Sequence, residues 1–211
     1  MPMKSEREYR AMQMAIEERA EGEEAAKIVS GYASTFNEPY LLFSDDEVEV
    51  WEQVDRSAFD DTDMSDVIMQ YDHQGRVFAR IRNNTLTVEP DDVGLFVRAD
   101  LGGTDIGREL FQEIEGGYSD KMSFGFTVDE DRREVTKTEE GKSRMMRTIS
   151  KVGKLFDVSV VSMPANPTTS ISARFLDGAI EEMRAERLKA KELEEKRALI
   201  MGKVNKILGE E

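Results

Sequence analysis

Residues 154–167 read Lys-Leu-Phe-Asp-Val-Ser-Val-Val-Ser-Met-Pro-Ala-Asn-Pro, an apolar run broken by Asp157 and closed by two prolines. The valine-rich stretch predicts a buried strand over residues 154–162, and the prolines stop it because they cannot donate to a ladder. An aspartate inside such a strand is expensive unless hydrogen-bonded or paired. A carboxylate that orients an imidazole meets that need. An arginine or lysine elsewhere in the fold meets it equally well.

Working outward, the chain alternates short strand patterns with turn signals. At residues 27–36, Ile28, Ser30, Tyr32, Ser34 and Phe36 alternate with Val29, Gly31 and Ala33, and Asn37-Glu-Pro39 supplies a turn. Further strands are predicted at 47–54, 66–71, 76–82, 84–88, 94–100, 121–129 and 144–151. A helix is predicted over 104–115, with Thr104 as N-cap, Ile106, Leu110 and Ile114 on one face, and Gly116-Gly117 ending it. The first 27 residues are charged and rich in Ala, Met and Glu, and read as a mobile or helical arm with little core. From Phe175 to Leu208 a charged helix carries Leu176, Ile180, Met183, Leu193, Ile200, Val204 and Ile207 as its apolar markers. The expected organisation is an N-terminal arm at 1–27, a mostly antiparallel β domain at 28–174 and a helical arm at 175–211.

Composition narrows the chemistry. The 211 residues contain no cysteine and one histidine, His73. Disulfides, thiolate nucleophiles and thiolate metal sites are excluded, as is any zinc site needing two imidazoles from one chain. No cofactor is implied. Net charge is −15, which argues against phosphate-backbone binding and so against nucleic acid as the main partner. No apolar run approaches the roughly 20 residues of a membrane span. The start lacks the apolar segment of a secretory signal, so the chain is expected to stay in the cytoplasm where it is made.

Two further segments carry chemistry. In Gln70-Tyr-Asp-His-Gln-Gly75, the histidine follows an apolar strand and precedes a glycine turn, a place from which an imidazole can reach a cleft. A surface turn residue reads the same way. Asp72 is expected to point away from His73 if the strand runs through both. In Tyr118-Ser-Asp-Lys-Met-Ser-Phe-Gly-Phe126, Ser123 and Gly125 share one parity while Met122, Phe124 and Phe126 share the other. Ser123 then projects opposite the apolar face, with Gly125 leaving room beside it; an ordinary amphipathic edge strand has the same pattern.

Taken together and in this order, the Gly31-Tyr-Ala-Ser-Thr-Phe-Asn, Tyr-Asp-His73, Gly94-Leu-Phe-Val-Arg-Ala, Met-Ser123-Phe-Gly-Phe and Leu-Phe-Asp157 segments resemble the tailed-phage prohead protease family over about residues 28–174. The resemblance implies an α+β, herpesvirus-protease-like fold: an antiparallel β barrel with packed helices. It also implies a serine endopeptidase that cleaves scaffold and major capsid protein, and itself, inside the assembling procapsid in the host cytoplasm. The family's histidine falls on His73, its serine on Ser123 and its final-strand acid, often Glu in related members, on Asp157. The charged arms are expected to recruit partners, mask the cleft or form a dimer or higher oligomer.

Two other classes remain open at this point. A non-enzymatic assembly or scaffolding protein would act through its helical arms and leave the Ser123 and His73 side chains apart. A metal-dependent hydrolase would use the acidic clusters Asp60-Asp-Thr-Asp63 and Asp129-Glu-Asp131.

Overall fold

Two long neighbouring strands organise the chain. The computed structural model describes residues 7–16, 27–162 and 172–208. In chain order these form β1 (Arg7–Ile16), β2 (Ile28–Thr35), β3 (Tyr40–Ser44), β4 (Val48–Val54), β5 (Ile68–Tyr71), β6 (Gln74–Arg80), β7 (Leu86–Pro90) and β8 (Gly94–Asp100). Helix α1 (Asp105–Glu115), β9 (Lys121–Lys137), β10 (Ser143–Val161) and helix α2 (Ser172–Leu208) follow.

The architecture is α+β, with the strands in one sheet of order β3-β4-β10-β9-β1-β2-β8-β7, curled into a half-barrel. Most pairs are antiparallel. Two are not: β10 runs parallel to β4 along its first half and parallel to β5 near its end. The β5–β6 hairpin is thereby hung on β10.

β10 covers both strands predicted at 144–151 and 154–162. Register shifts at four points between Ile149 and Asp157 let it bend without ending. Gly153 sits in this stretch, where a β-carbon would lie 2.3 Å from the Asp129 carboxylate. The two prolines beyond β10 fall outside the described residues. Strand β3 was not expected from the sequence, because the Asn37-Glu-Pro39 turn is followed by a strand with only Leu42 buried.

Residues 7–16 overturn the reading of the N-terminal segment as a mobile or helical arm. They form a strand inside the sheet, between β9 and β2, with Ala11 opposite Ser123 and Met14 opposite Gly31. The charged pattern misleads because two of its charged side chains point inward: Glu8 and Arg10 are both buried.

Those charges belong to a polar layer between two apolar clusters. Val48 and Val50 of β4 pack with Met145 of β10 beneath Leu176, Ala179, Ile180 and Met183 of α2. Further along the same strand faces, Val54 and Ile149 join the main core with Phe111, Phe124 and Phe126. Between them lie Glu52 and Arg147, 0% and 3% exposed. Arg147 Nη1 donates to Glu8 at 2.7 Å and to Glu52 at 2.8 Å, and Arg10 Nη2 donates to Glu52 at 2.7 Å and to Glu8 at 2.9 Å. The Tyr40 hydroxyl also donates to Glu52. Burial alone would raise the Glu52 carboxyl, but Arg10 and Arg147 outweigh it and hold it below the usual carboxylate range.

Helix α1 starts as its sequence predicts, with the Thr104 hydroxyl accepting from Gly107 N. In α2 the apolar markers divide: Leu176, Ile180 and Met183 are buried, whereas Leu193, Ile200 and Val204 are exposed. The Ile207 side chain lies outside the described residues.

Candidate active site

Three strands of the sheet bring the three predicted residues to one point. Ser123 lies in β9, directly opposite Ser159 of β10. Asp157 lies two residues earlier in β10, opposite Gly125. His73 comes from the hairpin next door, because β5 pairs with β10 through Ile68–Asp157 and Tyr71–Val160.

The β5–β6 turn is a two-residue loop with Tyr71 opposite Gln74. Asp72 and His73 have φ of 47° and 59°, the left-handed geometry of a type I′ hairpin turn. Aspartate and histidine tolerate this region better than branched residues, at a cost of about 1–3 kcal/mol each. Contacts to the end of β10 hold the turn. Asp72 N donates to Val160 O at 2.9 Å, and the Asp72 carboxylate accepts from Ser162 N and Oγ at 3.2 and 3.3 Å. The Asp72 carboxylate is thus bonded to Ser162, and from a turn rather than from the strand through both residues on which the expectation rested.

The resulting chain of contacts is short. His73 Nε2 lies 2.8 Å from Ser123 Oγ, and His73 Nδ1 lies 2.5 Å from Asp157 Oδ1. The aspartate, shorter than glutamate, still reaches the ring. Ser123 and Asp157 are 0% and 1% exposed, while the imidazole is 15% exposed and forms the solvent edge of the group. β9 is not an amphipathic edge strand: it lies between β10 and β1, and Met122 to Phe126 are buried on both faces.

Two contributors were missed in the sequence. Ser159 Oγ donates to Asp157 Oδ1 at 2.8 Å; it shares the parity of Asp157, two residues on, which is the signal that could have found it. Arg7 Nη1 stands 3.7 Å from Asp157 Oδ2 and its guanidinium lies 3.8 Å above the Phe156 ring. Nothing local in the sequence links positions 7 and 157. Near the base, Arg80 is committed to Asp66 through paired hydrogen bonds. Arg76 lines a groove of about 380 Å³ between β6 and α1, together with Tyr71, Phe78, Ile106 and Leu110.

A serine, a histidine and an aspartate bonded in series match the parts of a nucleophile, a general base and its orienting acid. A family model described as caudovirus prohead serine protease matches residues 14–185, most of the chain. The chain belongs to that family. Membership makes it a serine protease of phage procapsid maturation at the level of the family. No curated protein and no solved structure matches it.

The acidic clusters do not gather as a metal site. Asp131 is bonded to Arg147 and Arg133, Asp63 to Lys154 and Asp61 to Lys151. Among the described residues no three His, Cys, Asp or Glu side chains come together in a ligating group. No described helix is long and apolar enough to cross a membrane.

Proposed function

We propose that this prohead protease cuts scaffold segments, the major capsid protein and its own termini in the assembling procapsid, with Ser123 as nucleophile, His73 as general base and Asp157 as the orienting acid. The observation that carries this reading is the unbroken series of contacts at 2.8 and 2.5 Å through the only histidine of the chain. A herpesvirus-protease-like barrel is the fold that this assignment favours, with α2 as the arm that contacts assembly partners.

In the proposed reaction His73 Nε2 takes the Ser123 proton as Oγ attacks the scissile carbonyl. Asp157 holds Nδ1–H, fixes that tautomer and stabilises the imidazolium. The ring then returns the proton to the leaving amine, and a water repeats the sequence on the acyl-enzyme. Backbone N–H donors facing the oxyanion contribute about 2.7–4 kcal/mol each. The groove beside Tyr71 offers the substrate chain a mixed surface, with Phe78, Ile106 and Leu110 beside the charged Arg76, Glu109 and Glu113.

The reading of the chain as a non-enzymatic assembly protein requires Ser123 and His73 side chains that do not meet, and their 2.8 Å contact counts against it. Co-expression with the cognate major capsid protein tests the assignment. Wild type should yield processed capsid protein, and the Ser123→Ala variant should leave it full length; processing by the variant ends the proposal. Mass spectrometry of the protease itself should show terminal peptides lost in wild type only, since exposed termini are the easiest places to cut.

A further inference from the structure

We propose that Arg7 is a positioning residue for the reaction: its guanidinium anchors the second oxygen of Asp157, so that the first stays aimed at His73. The inference rests on the assignment of Ser123, His73 and Asp157 made above. Arg7 lies outside residues 14–185, so the family match does not supply it.

The two oxygens of the carboxylate are unevenly held. Asp157 Oδ1 accepts from His73 Nδ1 at 2.5 Å and from Ser159 Oγ at 2.8 Å. Oδ2 is equally buried and has no hydrogen-bond partner among the described residues. A carboxylate held this way can rotate to exchange its two oxygens, and burying one oxygen without compensation is costly. The Arg7 guanidinium, 3.7 Å from Oδ2, supplies the opposing charge. That separation is longer than a hydrogen bond, so the interaction is electrostatic and leaves Asp157 able to respond when the imidazole gains its proton.

Two features hold Arg7 there. β1 pairs with β9 so that Arg7 stands opposite Thr127, on the strand that carries Ser123. Phe156 is the extra residue at the register shift between Leu155 and Asp157, and bulges of this kind re-aim side chains. Its ring carries the guanidinium at 3.8 Å, which fixes the cation against the strand that bears the carboxylate. Arg7 is 39% exposed, so the charge beside the buried Asp157 sits at the protein surface. The N-terminal strand thus completes the electrostatics of a site built by β5, β9 and β10.

The test compares Arg7→Gln, Arg7→Lys and Ser123→Ala in the full chain, with capsid-protein cleavage as the activity. Arg7→Gln should lower kcat on the order of ten-fold with KM unchanged, as for a group that acts only through the transition state. Arg7→Lys keeps the charge but loses the planar stack, and should recover part of the rate. His73 is the only histidine, so its ring gives one set of NMR signals, and the low-field Nδ1–H proton bonded to Asp157 should shift or broaden in Arg7→Gln and less in Arg7→Lys. Wild-type kcat in Arg7→Gln, or an unmoved Nδ1–H signal, overturns the proposal. Equal losses of rate and melting temperature in Gln and Lys variants assign Arg7 to docking of β1 and also overturn it. If Ser123→Ala still cleaves, the assignment of the triad has failed instead, whatever Arg7 does.

Discussion

The molecule buries two polar groups on overlapping strands, and they are built on opposite terms. The layer of Glu8, Arg10, Glu52 and Arg147 is doubly connected: each guanidinium bonds both carboxylates, and Tyr40 adds a further donor. It sits between two apolar clusters, away from bulk water. The Ser123–His73–Asp157 series is linear, opens to solvent at the imidazole and leaves Asp157 Oδ2 without a hydrogen bond among the described residues. A network with every position filled has one arrangement and resists proton movement, which suits a device that fixes strand register. A linear network with one unfilled position can redistribute charge when a proton moves, which suits chemistry.

The contrast is broken most directly at Ser123, the proposed nucleophile. Ser123→Ala should remove capsid-protein cleavage altogether while melting temperature and circular dichroism stay those of wild type. A large drop in melting temperature would mean that the series also carries the fold. Next, Asp157→Asn should reduce kcat on the order of 10³–10⁴-fold, since the amide favours the wrong tautomer of the ring. Turnover near wild type would move the orienting role to another residue.

In the layer the effect should fall on stability instead. Glu52→Ala leaves two buried guanidiniums undercompensated and should cost about 3–5 kcal/mol in urea unfolding, with kcat of the remaining folded enzyme little changed. A loss of activity without loss of stability would erase the distinction between the two groups. Acid gives a gentler version. Glu52, and Asp131 beside Arg147, titrate below their ordinary range in the folded chain. Their contribution is therefore present above about pH 4–5 and is lost as pH falls through the lowered native values. The urea midpoint should drop between about pH 6 and pH 3, and drop less in Glu52→Gln; a midpoint independent of pH would show that these groups add nothing. The smallest effect is expected at Ser159→Ala, which removes one donor to Asp157 and should slow cleavage by a few-fold, consistent with about 1 kcal/mol for a hydrogen bond. No change in kcat would place Ser159 with the structural contacts.

Legibility in the sequence followed the same division. Ser123, His73 and Asp157 were singled out by the family resemblance and by the single histidine, since each segment alone reads equally as an ordinary strand or turn; the structure brings the three side chains into contact. Helix α1, with Thr104 at its start, and strand β8 were readable from caps and alternation. Strand β1 was not, since Glu8 and Arg10 look like surface charges until Glu52 and Arg147, distant in sequence, are placed beside them. The parallel pairing of β10 with β4 and β5 was hidden for the same reason: register across the sheet is set by partners far along the chain. β10 looked like two strands because Gly153 falls at a register shift between Val152 and Lys154, where the strand bends without ending. Arg7 had no local signature at all.

Beyond Met183, helix α2 is tied to the body by Arg184, paired with Asp45, and by Arg187, which donates to Gly141 O; from Leu188 to Val204 every side chain is exposed. Over residues 187–204 it carries six basic side chains against three acidic ones, in a chain of net charge −15. At about 1.5 Å per residue this segment extends roughly 27 Å. Residues 187–204 are therefore a locally cationic stretch of helix in a chain that is acidic overall. Such a stretch favours approach to anionic surfaces. Dissolved salt of about 0.15 M limits that attraction to the last 8 Å or so of approach.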